Sequence, residues 1–341
     1  MRGIWISGAV LAGMLVAGVA HAQQRLPREC RQEIVQLCGS DRSKIRSCLR
    51  EKRSELSETC ASELRERMQQ RRAGNRAVPT RMAPQKFDLV TFGDDPRQAI
   101  DFYRPMASAG TTDAPPALIL FVHGGGWQMG DRARANHAKP SHFQQTGYAY
   151  ASTGYRLVPN VKVEDQAADI AAAVAKLRAD APELGFDPNR IILMGHSAGA
   201  HLAALVATDP TYLGDDLAAI KGVILLDGAG YDAVSTLETA GPLTKRIYEP
   251  AFSADPARQA ALSPATYVGA PDVSDWLILH VADRARAKAQ SEMFAAKLRK
   301  AGANAEAVAI PNTDHRRMNT ELGTDNLATE KVDAFIAQLT E

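Results

Sequence analysis

The chain has 341 residues, 45% of them hydrophobic and 23% charged, with a formal net charge of +1. That balance gives no overall reason to expect nucleic acid as a partner, and it is unlike the low-hydrophobicity composition of a disordered chain. The length suffices for one large core plus a small appendage.

Residues 1–22 read as an export signal that stands outside the fold. Arg2 supplies a positive start, Ile4 to Val19 is apolar and rich in Gly and Ala, and Ala20-His21-Ala22 fits a small-x-small cleavage site. The expectation is a mature chain starting at Gln23 and located in the periplasm or outside the cell.

All four cysteines, Cys30, Cys38, Cys48 and Cys60, fall in the next segment, residues 23–70. In an exported chain an even, clustered set reads as disulfides. Cys30 and Cys38 sit on one helix-like stretch, Cys48 and Cys60 bracket another, and Gly39-Ser40-Asp41 turns between them. Three pairings are possible; an antiparallel helical hairpin favours the nested one, Cys30–Cys60 and Cys38–Cys48. The intervals of eight, ten and twelve residues are wider than the close ligand pairs of zinc sites, so no metal is expected. The segment resembles a cysteine-rich repeat of Golgi and exported proteins, which implies no chemistry. From Gln23 to Ala73 there are 13 Lys/Arg against 8 Asp/Glu, a surplus that suits either an anionic envelope surface or a solvated helix face. Residues 71–85, with Gly, Pro and basic residues but no periodicity, read as a linker.

From residue 86 to the end the pattern alternates strands and helices. Phe87–Phe92 and Ala99–Tyr103 form an opening antiparallel pair, followed by strands Ala117–Val122 and Tyr148–Thr153 and the amphipathic helix Val163–Asp180. Strand Arg190–Met194, strands Gly222–Leu226 and Trp276–Val281, helix Lys288–Ala301 and strand Ala305–Ile310 complete the series. Such alternation predicts an α/β fold: a mostly parallel sheet with helices on both faces and its active site at the C-terminal edge of the strands.

Two motifs lie at that edge. Gly195-His196-Ser197-Ala198-Gly199 follows an apolar strand and opens an Ala/Leu-rich helix, the context of a serine raised on a sharp strand-to-helix turn. His123-Gly124-Gly125-Gly126-Trp127 follows another strand. A glycine run there leaves bare amides to hold a developing oxyanion, so the N–H groups of Gly124, Gly125 and Ala198 are the expected oxyanion hole. Trp127 either lines the entrance or anchors this loop.

With Tyr155-Arg156-Leu157 and Asp187-Pro188-Asn189-Arg190, these motifs resemble the H-G-G-G branch of the α/β-hydrolase esterases and lipases, from about Phe87 to the C-terminus. The resemblance implies a serine carboxylesterase acting on small or aryl esters, without metal or organic cofactor. It also implies the order serine, acid, histidine. His315, in the loop after the last strand, is the expected base. His123 and His196 are read as shaping their loops; His137, His142, His201 and His280 are read as surface or helix residues. Asp283 is the expected acid and Asp227, at the end of the preceding strand, the alternative. Here the chain departs from its relatives: the loop Asp283-Arg284-Ala285-Arg286 is short and basic where many carry an extra residue and a Val-Pro pair. The segment Gly228–Gly269 is read either as a cap whose Tyr231, Leu237, Tyr248, Phe252 and Tyr267 wall the pocket, or as helical packing. Two rival functions stand beside the esterase: an amidase acting on N-formyl aryl amides, as some relatives with H-G-G-x-W do, and a catalytically silent binding protein.

Overall fold

The computed structural model describes residues 27–39, 48–49, 52, 55–64, 86–106, 114–269 and 273–340. The chain divides into two compact units, Met1–Ala83 and Pro84–Glu341. The expected export signal, residues 1–22, and the whole of the expected linker, residues 71–85, lie outside the described residues.

In the first unit, disulfide Cys30–Cys60 joins helix α1 (Arg28–Cys38) to the helical residues 58–64, and Cys38–Cys48 joins its C-terminal end to the helical residues 48–49, the nested pairing. Among the described residues its buried cluster is Cys30, Ile34, Leu56 and Cys60. Ser57 adds a polar clasp by donating its hydroxyl to Glu33 at 2.7 Å. So small a core leaves the disulfides to carry much of the stability.

The second unit is an eight-stranded sheet in the order β1-β2-β4-β3-β5-β6-β7-β8. β1 (Asp88–Thr91) and β2 (Ala99–Tyr103) are antiparallel to their neighbours. β3 (Leu118–Val122), β4 (Ala149–Thr153), β5 (Ile191–His196), β6 (Ile220–Leu226), β7 (Asp275–Val281) and β8 (Asn304–Ile310) run parallel. Every residue of β3 and β5 is buried, and alternate residues face opposite layers. Leu118, Leu120 and Val122 join one core; Ile119 and Phe121 join the other. That two-sided burial is why these strands read as unbroken apolar runs.

Helices cover both faces. α2 (Lys139–Gln145) puts Phe143 into the core that also takes Ile119 and Phe121. α3 (Val163–Leu184) packs on the opposite core. Asp165 caps the first turn of α3 by accepting the Lys162 amide at 2.9 Å, and Gly185 ends the helix in the left-handed conformation at φ 79°. α4 (Ala198–Thr208) is buried along its whole length, which its Ala-rich sequence permits. Between β6 and β7 lie α5 (Ala233–Glu238), α6 (Pro242–Phe252) and two shorter helices. α7 (Ala285–Lys300) leads to β8, and α8 (His315–Thr320) and α9 (Leu327–Thr340) close the chain.

Candidate active site

Ser197 stands between β5 and α4 with φ 56°, a left-handed backbone that a non-glycine residue adopts only when its surroundings enforce it. The flanking glycines are the enforcement. A Cβ on Gly195 would come within 2.2 Å of the Gly199 carbonyl oxygen, and one on Gly199 within 2.2 Å of the Val122 carbonyl oxygen. The elbow is therefore wedged against the end of β3, where the glycine loop begins. Gly124 lies so near that an added Cβ would be 3.0 Å from Ser197 Cβ. The amides of Gly124, Gly125 and Ala198 donate to no described residue; Ala198 follows the serine directly and Gly124 packs against it.

His315 begins α8, with Asp314 capping that helix by accepting the Arg316 and Arg317 amides. Its Nε2 is 3.0 Å from Ser197 Oγ, hydrogen-bond reach for a general base. Its Nδ1 is 2.6 Å from Asp227 Oδ2. The partner of the histidine is thus Asp227 and not Asp283, which is exposed and makes no hydrogen bond to His315. The reason lies in the strand ends. Asp227 follows β6 at φ 47°, and its amide donates to Leu279 O at 2.7 Å. Its Oδ1 accepts the Val281 amide at 3.0 Å, so the carboxylate crosses onto β7 and arrives under the histidine. Burial works against ionisation of Asp227, but the His315 hydrogen bond, the Val281 amide and the Arg284 charge outweigh it and hold the carboxyl below its ordinary range.

Arg284 enters the same cluster. Its Nη1 donates to Asp227 Oδ2 and lies 2.7 Å from His315 Nδ1. A histidine that gives its Nδ1 proton to Asp227 cannot also accept there from an arginine, so the two contacts belong to different tautomers.

The other motif histidines are structural, as the sequence suggested. His123 is buried against the Tyr155 ring at 4.3 Å, and burial pushes it down to about 4. His196 is held neutral by burial, down to about 3, and its Nε2 donates to the His315 carbonyl at 2.8 Å, tying the elbow to the base. His201 lies on a helix, α4, as read, but is fully buried, whereas His280 is a buried residue of β7 and neither a surface nor a helix residue. His201 accepts the Trp127 indole N–H at 3.2 Å and donates to Leu262 O at 2.7 Å.

Trp127 is an anchor, only 2% exposed and at φ 62°, with its ring edge-on to Tyr248 and Phe252 at 4.9 and 4.8 Å. Tyr231 stacks on Phe294 at 4.8 Å. Tyr248 and Phe252 are therefore packing that holds the glycine loop through Trp127, and Tyr231 is packing against α7. The large apolar side chains that α6 leaves exposed are Leu243 and Ile247, 75% and 42% accessible. Ile247 sits against the glycine loop, 3.2 Å from where a Cβ on Gly126 would be, and its carbonyl accepts from Gln128 at 3.1 Å. Among the described residues no group of His, Cys, Asp or Glu is placed to hold a metal ion.

The BD-FAE family model matches residues 100–298, which include the glycine loop, the serine elbow and Asp227. Esterase LipC of Mycobacterium tuberculosis is 37% identical over 126 residues, 36% of this chain and 30% of that protein. The chain thus spans less than a third of that relative's length. Kynurenine formamidase of Danio rerio is 27% identical over 248 residues, covering 71% of this chain and 79% of that one. The solved structure of Thermogutta terrifontis esterase 2 phosphonylated by sarin aligns with a TM-score of 0.61 at 26% identity, covering 76% of this chain and 97% of that one. Sheet order, serine elbow and these likenesses agree, and the chain belongs to the BD-FAE family of α/β-hydrolase esterases.

Proposed function

We propose that the protein is a serine carboxylesterase acting on small or aryl esters through an acyl-serine intermediate. The observation that carries this reading is the continuous line Ser197 Oγ, His315 Nε2, His315 Nδ1, Asp227 Oδ2, at 3.0 and 2.6 Å, beside three unpaired amides. His315 takes the Ser197 proton as the hydroxyl attacks the ester carbonyl. The amides of Gly124, Gly125 and Ala198 receive the oxyanion, and Asp227 keeps the imidazole in the tautomer that accepts at Nε2. His315 then protonates the leaving alcohol, and water repeats the sequence to release the acid.

The test is a pre-steady-state burst with p-nitrophenyl acetate and butyrate beside Ser197→Ala. A burst in the wild type that the substitution abolishes supports the reading; wild-type protein without turnover overturns it. The match to a formamidase favours one rival, so N-formylkynurenine belongs in the same assay, and preference for it would reassign the bond cleaved from ester to amide.

The reading extends to location. Residues 1–22 supply an export signal, and the basic surplus of residues 23–73 suits contact with an anionic envelope surface. Terminal sequencing of the mature protein should find Gln23 first. Binding to anionic vesicles should weaken with salt.

A further inference from the structure

Arg284 stands where no simple triad needs a cation. Only its Nη1 is engaged, with Asp227 and His315; Nε and Nη2 donate to no described residue, and the side chain is 40% exposed. Three N–H donors of a rigid planar fork are therefore free at the edge of the site. A second guanidinium follows two residues on. Arg286 Nη1 donates to Thr244 Oγ1 at 2.6 Å, and Thr244 lies on α6 between the exposed Leu243 and Ile247. Tyr248 of the same helix lies within the field of both arginines. An apolar strip that begins at the glycine loop thus runs toward two cations.

The position of Arg284 also assigns a side of the substrate. The carbonyl oxygen belongs with the glycine loop, whereas the leaving oxygen must take its proton from His315 Nε2. The alcohol portion consequently departs past His315, and Arg284 is the cation that touches His315. We propose that Arg284, with Arg286 beside it, binds a carboxylate carried on the alcohol portion of the ester, with Leu243 and Ile247 supporting the apolar part between. The natural substrates are then esters of hydroxy acids, aryl ones in particular. The proposal rests on the esterase reading above. It adds a consequence: a carboxylate that draws the guanidinium outward leaves His315 Nδ1 to Asp227 alone, the productive tautomer.

The test compares two butyrate esters of matched shape, 4-carboxyphenyl butyrate and 4-carbamoylphenyl butyrate, on wild type, Arg284→Lys and Arg284→Met. The readout is the ratio of kcat/KM for the acid over the amide, which a general loss of activity or folded protein does not move. Charge-assisted bonding predicts a ratio about 10- to 100-fold higher in wild type than in Arg284→Met, with Arg284→Lys between because it keeps charge but loses the fork. On wild type alone, 4-hydroxybenzoate should inhibit more strongly than 4-hydroxybenzamide. An unchanged ratio across the three proteins overturns the proposal. So does an Arg284-dependent preference for p-nitrophenyl hemisuccinate over p-nitrophenyl butyrate, which would place the anion on the acyl side. Absence of turnover with every ester would instead bring down the esterase reading.

Discussion

The identity of the triad acid is open to a direct test, Asp227→Asn against Asp283→Asn. In the native protein Asp227 accepts from three donors, the Val281 amide, His315 Nδ1 and Arg284 Nη1. An asparagine keeps the shape but has one acceptor oxygen. If that oxygen retains the Val281 amide, its NH2 group faces His315. Nδ1 then meets two donors, the amide and Arg284, and becomes an acceptor. The proton moves to Nε2, where it blocks removal of the Ser197 proton. In the serine-protease template this wrong-tautomer state costs about 10⁴ in kcat, equivalent to about 5.5 kcal/mol. A loss of about 10³- to 10⁴-fold is expected for Asp227→Asn, with KM changed little. Asp283 is exposed and bound to neither His315 nor Arg284, so Asp283→Asn should stay within about twofold of wild type. The assay is steady-state hydrolysis of p-nitrophenyl butyrate, with a thermal melt on each variant so that rates refer to folded protein. A large loss in Asp283→Asn beside a nearly active Asp227→Asn would refute the reasoning.

Three further outcomes follow from the same geometry. Gly124→Ala would place a Cβ 2.8 Å from the His196 carbonyl oxygen and 3.0 Å from Ser197 Cβ, so the glycine loop must shift from the elbow. Its kcat should fall about 10²-fold, the scale of a lost oxyanion donor, while its thermal midpoint moves by a few degrees at most. Lys139 is fully buried, donating to Ala135 O and Asn319 O at 2.8 and 2.9 Å, and burial pushes it down to about 7. The unfolded chain, with an ordinary lysine near about 10.4, binds the proton more tightly between those values, so this group makes stability rise with pH across that window. Urea unfolding at both ends of the window should show that rise in wild type and a smaller one in Lys139→Met; equal slopes would refute it. Reduction with dithiothreitol should abolish the helical signal of residues 28–38 and 58–64, since a lost disulfide typically costs about 2–5 kcal/mol in so small a unit. Ester turnover should persist because residues 84–341 contain no cysteine, and parallel loss of both would contradict the two-unit reading.

The strands were legible because burial on both faces writes them as runs such as Leu118–Val122 and Ile191–Met194, and the elbow because its glycines answer to local crowding. The nested disulfides were legible for the same kind of reason: two short helices and a turn leave few ways to close. His201 was not. A histidine in the Ala-rich α4 carries no mark of burial, and its role depends on Trp127, 74 residues earlier. The aromatic residues of α6 were equally ambiguous, because the spacing that would wall a pocket also packs Tyr248 and Phe252 on that tryptophan.

The choice between Asp227 and Asp283 shows where local reading ends. Both follow buried parallel strands, both lie between Ser197 and His315 in the chain, and β6 and β7 are neighbours with Leu226 paired to Leu279. The histidine requires a buried carboxylate at Nδ1, and either strand end borders that place. What decides is the backbone beyond the strands. Asp227 turns left-handed, hydrogen-bonds across to Leu279 and Val281, and fills the position, while the short basic loop after β7 delivers Arg284 to it instead. The departure already visible in Asp283-Arg284-Ala285-Arg286 is therefore the other half of the same arrangement: with the acid supplied from β6, the turn after β7 is free to carry a cation. That cation stands beside the base, where it can read the substrate.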